Sequence, residues 1–146
     1  MGETRLNTGL EQLDRDECIR LLRTEAVGRL VMIGDHGRLE IFPVNYFFDG
    51  DAVLFRTDMG TKLTATAGAP VAFEVDHLDF SGHSVWSVVI HGTAHRSDAH
   101  TAQLRLSTWV HSTKPHLAKI IPDEITGRRL CTPSDPKIAA GHISQP

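Results

Sequence analysis

At 146 residues, with 40% hydrophobic and 23% charged side chains, the chain has the makeup of one globular domain with a substantial core. A net charge of −3 without any clustering of Lys and Arg excludes an extended nucleic-acid surface. No run approaches the roughly 20 apolar residues of a bilayer span, and residues 1–7 lack the apolar core of a signal peptide. Cys18 and Cys131 stand far apart and outside any CxxC pattern, which predicts free thiols in a reducing cytoplasm.

The first predicted element is a helix over residues 15–24. Asp14 is placed to cap it, Glu17 follows three residues on as in a capping box, and Leu13 and Cys18 have the spacing of a hydrophobic staple. Cys18, Leu21 and Leu22 share one face. The period then changes. Residues 27–33 read as a strand, Gly34-Asp35-His36-Gly37 as a hairpin turn, and residues 38–48 as a long second strand. Asp49-Gly50-Asp51 turns the chain into a strand over residues 52–57. A helix over 61–67, ended by Gly68 and Pro70, precedes strands at 71–76 and 85–96. A second helix is expected over 98–109, with Leu104 and Trp109 among its apolar positions, and a last strand over 118–121, stopped by Pro122.

Closely spaced antiparallel strands with few helices predict a mainly β (α+β) domain, a closed or nearly closed barrel, over residues 1–131. Residues 132–146 contain Pro, Ser and Gly without periodicity. They are expected to form a mobile tail or to lie on a partner subunit.

The strand over 52–57 runs into Asp58-Met59-Gly60 and a helix opening at Thr61. Amides in a first helical turn lack intrahelical partners and carry partial positive charge, so such a junction attracts anions. Gly60 permits the turn, Thr57 and Thr61 supply hydroxyls, and Arg56 and Lys62 supply charge. Phe55 to Lys62 therefore reads as a phosphate cradle. Residue types alone leave open an ordinary β-to-α turn with solvated bases.

An ordered set of segments surrounds this cradle. Gly28-Arg29-Leu30, Pro43-Val44-Asn45-Tyr46 and Phe55-Arg56-Thr57-Asp58-Met59-Gly60-Thr61-Lys62 are followed by Val71-Ala72-Phe73-Glu74-Val75-Asp76. Trp86-Ser87-Val88-Val89-Ile90-His91-Gly92-Thr93-Ala94 and Thr126-Gly127-Arg128-Arg129 complete it. Their order and spacing over residues 10–130 resemble the pyridoxamine 5'-phosphate oxidase-like flavin proteins, particularly the short bacterial members.

The resemblance implies a six-stranded antiparallel split barrel with flanking helices, a homodimer, and FMN at the subunit interface. Pro43, Val44, Asn45 and Tyr46 would flank the isoalloxazine ring, with Phe55 opening the cradle. Arg56, Thr57, Gly60, Thr61 and Lys62 would hold the phosphate. Trp86 and Ser87 would approach from the partner subunit, and Trp109 would lie near the ring. Pro43, lacking an N–H, suits a free sheet edge that a ring can approach. Core packing remains open for Trp86 and is the favoured role of Phe47 and Phe48.

Two departures point away from pyridoxamine phosphate as substrate. The cradle lacks a second adjacent base, and after Leu130 only Lys137 and His142 are basic. The expected activity is an FMN-dependent oxidoreductase acting on a small planar substrate, with reduced nicotinamide as a candidate donor and no assigned catalytic residue. The alternatives are a deazaflavin-dependent reductase of the same fold, or a non-catalytic flavin- or haem-binding module.

No metal site is expected. His91 and His95 are four apart in a strand, which separates them by about 13 Å. His77, His83, His100, His111, His116 and His142 lack any zinc-ligand spacing. Ser81-Gly82-His83-Ser84 has no nucleophile elbow, and Asp76 with Asp79 has no paired-carboxylate pattern.

Overall fold

The computed structural model describes residues 9–57, 68–81, 84–97 and 116–130. The expected helices over 61–67 and 98–109, the tail over 132–146 and Cys131 lie outside the described residues. In chain order the elements are β1 (Leu10–Leu13), α1 (Arg15–Leu22), β2 (Val27–Ile33), β3 (Leu39–Phe48), β4 (Val53–Thr57), β5 (Pro70–Asp79), β6 (Ser84–Arg96) and β7 (His116–Leu130). They form one antiparallel sheet in the order β1-β7-β4-β3-β2-β5-β6, and β6 also pairs with β7. Six strands thus close into a ring, which the sequence predicts, and β1 is a seventh strand beside β7 that it does not.

Alternation dictates the core. Leu30 and Met32 on β2, Val53 and Phe55 on β4, Phe73 and Val75 on β5, and Val88 and Ile90 on β6 are all buried inside the ring. Helix α1 lies against β6 and β7, burying Cys18, Leu21 and Leu22 in the same core. Its start follows the predicted chemistry: Asp14 Oδ1 accepts from Glu17 N–H at 2.9 Å. The Glu17 carboxylate, however, goes to Arg20 and to Arg129 of β7, pinning the helix to the sheet.

Close approach sets Gly28 and Gly127. A Cβ on Gly28 would stand 2.3 Å from Phe73 Cζ, and one on Gly127 2.6 Å from Cys18 Sγ. The turn at Gly34 to Gly37 places His36 at φ 61, in the left-handed region. Asp49 Oδ1 accepts from the amides of Asp51 (2.8 Å) and Ala52 (2.7 Å), closing the β3–β4 turn around Gly50 at φ 104.

The last strand corrects the expectation that Pro122 ends it. β7 runs on to Leu130, because the register shifts between His91↔Glu124 and Gly92↔Pro122 and leaves Asp123 as an extra residue. A bulge tolerates a residue without an N–H. It also switches parity: Ala118 and Ile120 face inward before it, Ile125 and Gly127 after it. Gly92 is required opposite, since a Cβ there would sit 2.1 Å from the Ile121 carbonyl oxygen.

Candidate functional site

The ring has a gap in its hydrogen-bond ladder. β3 and β4 pair only through Phe48↔Val53, Phe47↔Leu54 and Tyr46↔Phe55. Beyond Tyr46 the strands part: among the described residues β3 continues alongside β2 alone, from Val27↔Asn45 to Ile33↔Leu39, while Arg56 and Thr57 continue beside Leu117 and His116 of β7. The predicted ring-flanking segment and the predicted phosphate strand are therefore the two lips of one opening.

Backbone direction follows from one bond. Tyr46 N–H donates to the Ala26 carbonyl at 3.0 Å, toward β2. Alternation then turns the polar backbone groups of Asn45 and Pro43 the other way, toward the gap. Pro43 has no N–H to leave unpaired there, as a free edge favours. Arg29 sits opposite Pro43 on the neighbouring strand.

Side chains divide between the two faces. Pro43 and Asn45 are exposed on the outer face, and Val44 packs inward against the core. Tyr46 is interior: its hydroxyl donates to the Leu22 carbonyl, and its ring meets Phe73 edge-on with centroids 5.2 Å apart. Burial, then the nearby Glu25 carboxylate, pushes the Tyr46 hydroxyl pKa up, so it remains a donor. Phe55 is wholly buried, and Trp86 is 5% exposed with its ring stacked over His77 at 6.1 Å. The rings of Tyr46, Phe55 and Trp86 all serve the core. Ser87, next along β6, faces outward beside Asp76 and Arg128.

The cradle strand alternates as well. Leu54 and Arg56 share the outer face, where Leu54 packs with Phe47 and Leu117, and the Arg56 Nε is buried. Thr57 faces inward at 5% exposure. Arg56 and the Thr57 hydroxyl thus project to opposite faces, and the backbone at the end of β4 is what they share. Gly60, Thr61, Lys62 and Trp109 lie outside the described residues.

One base escapes sequence reasoning. Lys119 stands opposite Leu54 on β7 and opposite His95 on β6, which puts it on the outer face diagonal to Arg56. Such diagonal neighbours are about 7–8 Å apart. Only the β4–β7 register reveals it, because 63 positions of sequence separate the two bases. Among the described residues no group of His, Cys, Asp or Glu could hold a metal, His91 lies 3.9 Å from Glu124, and His95 bonds the Thr93 hydroxyl at 2.9 Å. Cys18 is free and buried, and burial raises its thiol pKa, which suppresses reactivity. No described helix is long and apolar enough to cross a membrane.

The donor set suits a planar ring carrying an anionic tail: an open strand edge with outward backbone groups, next to a strand bearing Arg56 with Lys119 beside it. Known proteins point the same way. A family model for pyridoxamine 5'-phosphate oxidase matches residues 14–129. A Mycobacterium tuberculosis protein of uncharacterised function is 35% identical over 133 residues, 84% of this chain and 87% of that one. The structure of an FAD-binding protein from Mycobacterium smegmatis is 35% identical, covers 82% of this chain and 97% of its own, and superposes with a TM-score of 0.61. A Corynebacterium glutamicum structure, described provisionally as a pyridoxamine 5'-phosphate oxidase, is 29% identical over 84% of this chain and 99% of its own, with a TM-score of 0.69. The match over residues 14–129 and the shared barrel make this chain a member of the pyridoxamine 5'-phosphate oxidase family.

Proposed function

We propose that the chain binds FMN along the gap between β3 and β4, at the interface of a homodimer, and acts as an FMN-dependent oxidoreductase on a small planar substrate. The carrying observation is the end of the β3–β4 ladder at Tyr46↔Phe55, which leaves the Pro43–Asn45 edge facing Arg56. Bound there, the flavin would supply two-electron chemistry between a reduced nicotinamide and the substrate.

In this reading the outward backbone of Pro43 and Asn45 meets the pyrimidine edge of the ring. Arg56, assisted by Thr57, Gly60, Thr61 and Lys62, neutralises the phosphate, and Lys119 adds a base nearby. Trp86 and Ser87 come from the partner's β6, and Trp109 closes the ring side. A micromolar dissociation constant requires about 8 kcal/mol, more than exposed ion pairs supply, so ring contacts must contribute a comparable share.

The M. smegmatis relative is named for FAD, and Lys119 offers a second cation beside Arg56. These two observations favour, as a second reading, a cofactor with more than one phosphate or a longer anionic tail, such as FAD or a deazaflavin. Parallel titrations with FMN, FAD and a deazaflavin, followed by flavin fluorescence, rank the three. Stopped-flow mixing of the FMN-loaded protein with reduced nicotinamide then tests turnover: bleaching of the flavin band is expected, and its absence favours a binding module.

A further inference from the structure

The outer face of the barrel carries its cations in two ways. On β2 and β5 Arg29 is answered twice, with Asp76 Oδ1 at 2.8 Å and Glu74 Oε2 at 3.2 Å from its Nη1. On β7 and β6 the bases stand without acids. Lys119 is half-buried and lies between Leu54 of β4 and His95 of β6, directly opposite each. Its diagonal neighbours include Arg56 and Thr93, and no position opposite or diagonal to Lys119 or His95 is acidic. Among the described residues Lys119 makes no ion pair.

We propose that Lys119, His95 and Thr93 form a second phosphate subsite on this face, which takes the adenylate-side phosphate of a flavin dinucleotide. The proposal rests on the reading above that Arg56 holds the flavin's first phosphate, and it adds the place of the second. A half-buried ammonium is costly to hold without a counter-charge, and another base directly opposite adds to that cost. An anion lying across β7 and β6 relieves both.

Geometry favours two linked phosphates over one. Here β7 is flanked by β4 and β6, so Arg56 and His95 stand two strand spacings apart, about 10 Å. A single phosphate spans that distance poorly. A pyrophosphate can lie along it, one phosphate at Arg56 and the other at His95, with Lys119 between them. The His95 ring is already oriented, because its Nε2 lies 2.9 Å from the Thr93 hydroxyl oxygen. When that hydroxyl donates to Nε2, the ring proton sits on Nδ1 and is free to bond a phosphate oxygen. Lys119 supplies three N–H donors as a point charge, which tolerates either phosphate.

Paired titrations of the full chain with FAD and with FMN, for the wild type, His95→Gln and Lys119→Gln, test this. The wild type should bind FAD roughly tenfold or more tightly than FMN, since the second phosphate gains charge-assisted hydrogen bonds. His95→Gln, which keeps a polar partner for Thr93, should weaken FAD more than FMN. Lys119→Gln should weaken both, FAD again the more, so that the preference for FAD collapses. A wild type that binds FMN and prefers it, or does not distinguish the two, overturns the subsite and leaves the gap reading standing. Folded variants that keep the wild-type preference do the same, because the preference then comes from elsewhere on the dinucleotide. A wild type that binds neither flavin overturns the gap reading and this inference together.

Discussion

The two halves of β3 have the same secondary structure and opposite fates. From Tyr46 to Phe48 the strand is paired on its β4 side and Tyr46 and Phe48 are buried, with the Tyr46 hydroxyl tying the barrel to the end of α1. From Leu39 to Asn45 it loses that neighbour, exposes Leu39 and Ile41, and turns backbone groups toward a gap. The first half spends its side chains on stability. The second leaves stability unclaimed where a ligand and a partner can use it, as binding regions drawn from the less stable parts of a fold do.

Substitutions should respect that boundary. The largest effect is expected from Phe73→Ala, which empties the space beside Tyr46 and Gly28 and should cost about 3–5 kcal/mol in chemical denaturation. Gly28→Ala, which forces a methyl against the same ring, should cost about 1–3 kcal/mol. Arg56→Ala should leave the thermal midpoint close to wild type but weaken FMN binding about 10- to 100-fold, because one charge-assisted hydrogen bond contributes about 1.5–3 kcal/mol. Tyr46→Phe should do the reverse: a loss of about 0.5–1.5 kcal/mol of stability with FMN affinity nearly unchanged. If Tyr46→Phe weakens FMN as strongly as Arg56→Ala, the two halves of β3 are not functionally separate.

The smallest expected effect lies in acid. Hydrogen bonds from Arg20 and then Arg129 hold the Glu17 carboxyl down to about 2, from an ordinary 4.5. A depressed folded-state pKa contributes stability that is present above the unfolded value and lost as pH falls through the folded one. Urea midpoints should therefore decline between about pH 4.5 and pH 2, and Glu17→Gln should flatten part of that decline while lowering stability at neutral pH.

The contrast within β3 also separates what was legible in the sequence from what was not. Period-2 runs between Gly and Asp turns located β2 to β6, and the Asp14–Glu17 spacing located the start of α1, because these signals are local. Pro122 misled because its tolerance depends on Gly92, a residue 30 positions away on another strand. β1 was invisible for the same reason: four residues form a strand only because β7 offers an edge. For the proposed site, local patterns supply the segments and not their arrangement. Pro43–Asn45 and Arg56 could be named from their segments, but that they flank one gap is a matter of register, as is the presence of Lys119. The inward direction of the Tyr46, Phe55 and Trp86 rings is set by strand parity, which turns aromatic residues of a proposed ligand segment into the core.

A fluorescence titration of FMN against wild-type protein and Arg56→Ala, run side by side under one buffer, tests the central claim most directly. The gap-site account predicts saturable binding to the wild type and at least tenfold weaker binding to a folded Arg56→Ala chain. Equal affinities for the two proteins, or no binding to the wild type at millimolar FMN, would contradict it.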